Sequence, residues 1–294
     1  MTIRLPHAPL LFISLLGLIG LNATAVAGPT PFISIELDNS ISTDDGKLLH
    51  FGSKIGDRSA IGRIQTELPY RLSEMQQQFS DLDNWCQIIF LHLNVKACTF
   101  QEKPEARLSV YVGEKHYQSS KDANVLHYYY QMLNQTDGQL SVSLVSPEGP
   151  YGTENYQIHL KLEKLDESKT TLDLQYYYEF GRPARWAIDL YLGTIARHKK
   201  GFSTVSLSDN STQQIGGMRG ALERNVMRYY LAIVTHLHAE KSQTNLEQRW
   251  LHWYQLTSKY PQLYEVSETE YISNKFREYT QQRFMQELQQ KQLL

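Results

Sequence analysis

The stretch Asn155–Phe180, NYQIHLKLEKLDESKTTLDLQYYYEF, decides the fold class. Tyr156, Ile158, Leu160 and Leu162 alternate with Gln157, His159, Lys161 and Glu163; Leu172, Leu174, Tyr176 and Tyr178 repeat the pattern. A period of two is the mark of a strand with one apolar face. Asp166-Glu167-Ser168 between the two runs is turn chemistry, too short for the crossover that parallel neighbours need. Working outward, Asn94–Phe100, Leu108–Tyr117, Leu126–Asn134 and Gln139–Ser146 also read as strands. Asp137-Gly138 and Pro147-Glu148-Gly149-Pro150 supply turns between them. Six strands on short connections predict a mostly antiparallel sheet with one dry side.

Before the sheet, Ser59–Glu67 and Phe32–Leu37 are strand candidates, and Ser42-Thr43-Asp44-Asp45-Gly46 is a turn. Tyr70, Leu72, Met75 and Phe79 recur at helical spacing behind Pro69. Asp81 or Asp83 caps a second short helix through Trp85 and Ile89. After the sheet, Gly181-Arg182-Pro183 opens a helix to about His198 that is apolar nearly all round, the pattern of a buried or membrane-contacting helix. Leu222, Val226, Tyr230, Ile233 and Leu237 form a one-sided stripe on another helix. Leu246, Trp250, Trp253 and Leu256 mark a third; Ser267 and Glu270 make a capping box for a last one through Ile272, Phe276 and Tyr279. The Gln-rich tail beyond it is expected to fray.

The N-terminus reads as an address. Met1-Thr2-Ile3-Arg4, an apolar run from about Ala8 to Leu21 and an Ala25-Val26-Ala27 exit have the grammar of a secretory signal peptide cleaved after Ala27. The run falls short of the ~20 apolar residues that span a bilayer. The expectation is a mature chain from Gly28, periplasmic or secreted. In an oxidising compartment the two cysteines, Cys86 and Cys98, read first as a disulfide, with two buried thiols as the alternative. The chain has 29 Lys+Arg against 31 Asp+Glu, which argues against a nucleic-acid partner.

One strand, two short helices, six antiparallel strands and a long helix, with Asp83-Asn84-Trp85-Cys86 after the first helix, resembles the START-like (SRPBCC) superfamily of exported type. The resemblance implies an α+β helix-grip fold, a curved antiparallel sheet gripping a long helix, with an apolar ligand in the cavity between them. The expected organisation is a signal peptide over 1–27, an N-terminal segment over 28–47, a helix-grip core over 48–200 and a helical C-terminal extension over 201–294. The superfamily shares no catalytic signature, so no functional residues carry across.

Catalytic motifs are absent from the sequence. There is no Gly-x-Ser-x-Gly elbow, no His-Glu-x-x-His helix and no phosphate loop. His236 and His238 fall on different helix faces, so no metal and no cofactor are expected. The 19 Tyr, against 10 Phe, include two triplets, Tyr128-Tyr129-Tyr130 and Tyr176-Tyr177-Tyr178, whose outer members share a face. Tyr has an apolar body and a polar tip, suited to lining an amphiphile site, although cross-strand packing explains the triplets as well. Candidate lining residues are therefore Trp85, Tyr128, Tyr130, Tyr176, Tyr178, Trp186 and Leu190. Arg224 and Arg228, a like-charged i, i+4 pair, are candidates for an anionic headgroup, with a solvated helix face as the plainer reading. The function expected is non-covalent carriage of an apolar or amphipathic small molecule, a lipid above all, with transient membrane or envelope-protein contact. An envelope interaction module with a filled core is the first alternative; a cyclase or hydrolase using the same cavity is the second.

Overall fold

The computed structural model describes residues 32–37, 39–43, 46–194, 197–206 and 211–292, so the signal-peptide assignment lies outside the described residues. Nine strands form one sheet: β1 (Asn39–Ser42), β2 (Leu48–Ile55), β3 (Ser59–Leu68), β4 (Val95–Gln101), β5 (Arg107–Val112), β6 (Asn124–Thr136), β7 (Gln139–Glu148), β8 (Thr153–Lys164) and β9 (Thr170–Phe180). Their spatial order is β1-β2-β3-β9-β8-β7-β6-β5-β4, and every neighbouring pair is antiparallel. The apolar half of the quoted alternation is borne out: Ile158, Leu160, Leu162, Leu172 and Leu174 are buried, and β8 pairs with β9 through Leu160 and Leu174; the intervening Gln157, His159, Asp173 and Gln175 are buried as well, so both faces are covered there.

Helices α1 (Leu72–Phe79) and α2 (Leu82–Phe90) connect β3 to β4. Asp81 is the cap of α2, its carboxylate accepting the Asp83 N–H at 2.8 Å. Cys86 on α2 is disulfide-bonded to Cys98 on β4, which staples that helix to the sheet edge. Beyond β9 come α3 (Arg182–Gly193), a small hairpin of β10 (Thr204–Ser206) and β11 (Thr212–Gln214), then α4 (Gly217–Ser242), α5 (Leu246–Ser258) and α6 (Glu268–Gln292).

The fold is α+β, an antiparallel sheet with a long helix held against one face, but the held helix is not the 183–198 segment. It is α4, which lies against β2, β3 and β9. Gly62 on β3 has no side chain, and α4 passes so close that a Cβ there would sit 3.5 Å from the Leu222 carbonyl and from Val226 Cγ1. The α4 stripe of Leu222, Val226, Tyr230, Ile233 and Leu237 is buried as its spacing predicted. By contrast α3 buries Ala184 and Leu192 while Trp186 and Leu190 are 70% and 51% exposed.

Two further expectations are corrected. Phe32–Leu37 is not a strand; it crosses the convex face, where the Ile33 amide group and the Gln175 side chain bond each other in both directions. It passes over Gly52 so closely that a Cβ there would meet the Glu36 carbonyl at 2.1 Å. The Gln-rich tail is helical to Gln292, the last described residue: α6 runs along β4, and Gln282 and Gln286 bond that strand's backbone. Lys96 on β4 and Lys275 and Glu278 on α6, all buried, join the two elements. Glu278 accepts from Lys96 at 2.9 Å and from Lys275 at 3.0 Å, and the backbone carbonyls of His92, Leu93, Val95 and His116 take the remaining ammonium protons.

Candidate functional site

Between the concave face of the sheet and α4 lies a cavity of about 180 Å³. Its walls are Val95, Val110, Val112, Leu126, Tyr128, Tyr156 and Tyr176 from the sheet, Asn225 and Tyr229 from α4, His92 and Asn94 from the α2–β4 connection, and Pro150. Larger depressions exist; one of about 540 Å³ beside Lys47, His50 and Lys169 has no residue of the gripped helix in its lining, and one of about 660 Å³ touches that helix only at Arg219.

Four phenols converge here. The Tyr176 ring stands 5.5 Å from Tyr229 and 6.2 Å from Tyr156, and the Tyr229 ring 5.4 Å from the His92 imidazole. Burial pushes the hydroxyls of Tyr128, Tyr176 and Tyr229 above the ordinary tyrosine value, and the neighbouring phenols push in the same direction. All are therefore neutral donors at physiological pH. A bulge in β8 at Asn155, whose φ is 52°, sets two residues against Tyr178 and bends the strand beside the site. Tyr156 stacks on Tyr178 there at 5.2 Å.

His92 is buried. Its Nδ1 accepts the Asn94 N–H at 3.2 Å, while Nε2 has no hydrogen-bond partner among the described residues. The Asn225 side chain approaches the ring and opposes the fall in its pKa, but makes no bond to Nε2 of full hydrogen-bond distance and angle. Burial, reinforced by the charges of Arg228 and Lys275, holds the imidazole well below its ordinary pKa, so the ring is neutral.

The expected lining residues separate into three groups. Tyr128 and Tyr176 line the cavity, and Tyr178 backs it through Tyr156. Trp85 and Tyr130 belong to the packed core: the Trp85 Nε1–H donates to the Phe79 carbonyl at 2.9 Å, and the Tyr130 hydroxyl donates to the same oxygen at 3.1 Å. Trp186 and Leu190 face outward on α3, because that helix is not the one held by the sheet. The two tyrosine triplets do not sit on adjacent strands; β7 and β8 lie between them.

Neither arginine presents itself to a headgroup. Arg224 donates to the Lys200 carbonyl at 3.0 Å. Arg228 is buried and meets Glu265 at 3.1 Å, so the anion it answers comes from its own chain. Glu265 also takes Lys115 and Lys199; burial opposes its ionisation, but these partners hold its pKa below the ordinary value. No group of three or more His, Cys, Asp or Glu able to hold a metal occurs among the described residues. No helix among them is long and apolar enough to cross a membrane.

Sequence reading missed His92, Asn94, Asn225 and Tyr229. Tyr229 adjoins the stripe residue Tyr230, and its turn off the stripe was the available signal. The residues around His92, Leu91-His92-Leu93-Asn94, have no period that marks them.

No protein-family model matches the chain, and neither does any curated protein sequence. Solved structures share its fold distantly. The human StarD13 lipid transfer and protein localization domain is 11% identical, with a TM-score of 0.31 over 50% of this chain and 78% of its own. Human StAR-related lipid transfer protein 5 is 13% identical, with a TM-score of 0.34 over 54% and 79%. A truncated norcoclaurine synthase from Thalictrum flavum is 9% identical, with a TM-score of 0.33 over 49% and 91%.

Proposed function

We propose that this chain is an exported binding protein that holds an apolar or amphipathic small molecule between its sheet and α4, without covalent chemistry. One observation carries the reading: the space under the gripped helix is walled by aliphatic side chains and neutral phenols with two asparagines and a neutral histidine, and no charged residue is among its described lining. That combination excludes water poorly from polar tips and well from the rest, which suits an amphiphile. The Cys86–Cys98 bond fits an oxidising compartment, and cleavage after Ala27 would deliver the chain there.

Native mass spectrometry of protein produced with its own N-terminus, followed by organic extraction, tests both parts. The expected result is a mature chain starting at Gly28 with a reproducible small molecule, displaced when Leu126→Trp fills the cavity. A chain that carries nothing, and whose ligand-free state Leu126→Trp does not alter, would remove the binding reading. One observation favours an interaction module as the second reading. Phe276, Phe284 and Leu288 on α6 stand exposed, 65% in the case of Phe276.

A further inference from the structure

We infer that the cavity selects an uncharged molecule of about one ring that carries a hydrogen-bond acceptor, and that His92 Nε2–H is the donor that reads it. This inference rests on the binding reading above and narrows it from amphiphiles in general to one class.

Size comes first. A buried cavity of ~150 Å³ accommodates benzene, whereas sites for drug-sized ligands occupy ~300–1,000 Å³. At about 180 Å³ the space under α4, partly open to solvent, holds a single substituted ring and is too small to bury a two-chain lipid. The wall chemistry agrees with a flat occupant. His92, Tyr229 and Tyr176 present rings spaced 5.4 and 5.5 Å apart in succession, a surface on which another ring packs offset or edge-on.

The donor follows from the tautomer. In a neutral imidazole one nitrogen accepts and the other carries the proton. Nδ1 accepts the Asn94 N–H, so the proton sits on Nε2. That N–H is buried, lines the cavity and has no partner among the described residues. The ring is already kept neutral by burial and by surrounding positive charge, so it serves as a donor and not as a cation. A buried donor left unmade is costly, and a ligand acceptor recovers that cost where a hydrocarbon of the same shape does not.

The charged alternative is weak on the same grounds. The cations nearest His92 are already engaged. Lys275 and Lys96 bind Glu278, and Arg228 binds Glu265. A carboxylate entering the cavity would lose its hydration without gaining a free counter-charge.

Calorimetric titration of the full disulfide-bonded chain with three probes of matched size tests this. Acetophenone carries an acceptor, α-methylstyrene replaces its carbonyl oxygen by a methylene, and benzoate adds charge. The expected result is at least tenfold tighter binding of acetophenone than of either other probe. His92→Phe should close the gap between acetophenone and α-methylstyrene to within twofold. Equal binding of those two by the wild-type chain would overturn the donor assignment, and tighter binding of benzoate would overturn the uncharged class; either leaves the cavity reading standing. Failure of all three probes, together with an extracted fatty acid or phospholipid that Leu126→Trp displaces, overturns the single-ring class alone. Failure of all three with nothing extracted overturns both readings. The wild-type comparison decides the matter even if His92→Phe does not fold.

Discussion

Gln286 pairs with Phe100 as a neighbouring strand would: its Oε1 accepts the Phe100 N–H at 2.9 Å and its Nε2 donates to the Phe100 carbonyl at 3.0 Å. One turn earlier, Gln282 Oε1 accepts the Cys98 N–H at 2.8 Å. The match is geometric. Four residues of helix rise about 6 Å, and two residues of strand rise about 6.6 Å. Glutamines at i and i+4 therefore meet alternate residues of β4, the strand at the end of the sheet, and occupy the backbone groups that would template another chain.

Replacing both Gln282 and Gln286 by Ala is expected to cost about 3 kcal/mol, from roughly 1 kcal/mol for each of the three lost bonds, and to promote self-association through β4. Urea unfolding measures the first effect and concentration-dependent size-exclusion chromatography the second. An unchanged midpoint and a monomer at all concentrations would show that the glutamines do not protect the edge.

Glu278 is the sole carboxylate bound to the buried Lys96 and Lys275 among the described residues. Glu278→Gln leaves two buried ammonium groups facing each other, and removal of one member of such a buried set costs about 3–5 kcal/mol. Burial draws Lys275 down to about 8, although Glu278 opposes the shift. An unfolded lysine titrates near 10.4. The unfolded chain thus holds more protons between these values, and stability should rise as the pH is raised through that window. Chemical denaturation at pH 7.5, 8.5 and 9.5 reads the slope.

Acid acts through histidines that are buried neutral. His236 lies between Gln78, at 3.0 Å from Nε2, and Arg249, at 3.4 Å from Nδ1; burial first and then Arg249 hold its pKa at about 3. Burial holds His159 at about 4. Both lie below the unfolded value near 6.5, so the unfolded state binds more protons as pH falls and stability drops by up to about 1.4 kcal/mol per pH unit for each ring. His236→Gln should remove one ring's share of the slope between pH 6 and 4.5. A slope that does not change would show that His236 titrates normally.

Of the four tryptophans, Trp85, Trp250 and Trp253 are buried and Trp186 is exposed. Iodide should quench one emitter in the native protein, and Trp186→Phe should abolish that quenching with less than about 0.5 kcal/mol change in stability, as for an ordinary surface substitution. Protection of Trp186 from iodide would mean that α3 is covered in solution.

The sheet was legible in the sequence because alternation is a local signal. Ile158, Leu160, Leu172 and Leu174 point inward by parity alone. Strand β2 was not legible, since Gly52 interrupts it and its reason for being there is the close pass of Glu36, a contact 16 residues away along the chain. The same holds for the gripped helix. Apolar content all round favoured 183–198, whereas α4 is set apart by its contacts with β2, β3 and β9, which lie far upstream in the chain. Hydropathy also misread Gln282 and Gln286 as a fraying tail, because their role is hydrogen bonding to a backbone that only the tertiary fold brings near. At the cavity, Tyr128 and Tyr176 could be named from their triplets; His92 could not, because its importance is an unmade bond.

Gly62 has a consequence beyond letting α4 approach. It lies outside the cavity, yet it sets how closely the helix bearing Asn225 and Tyr229 sits above the sheet. An alanine fits at ordinary contact distance; a valine or leucine must lift the helix. A side chain larger than alanine at position 62 is therefore expected to widen the binding space from a point remote from the ligand, carrying Asn225 and Tyr229 outward with the helix.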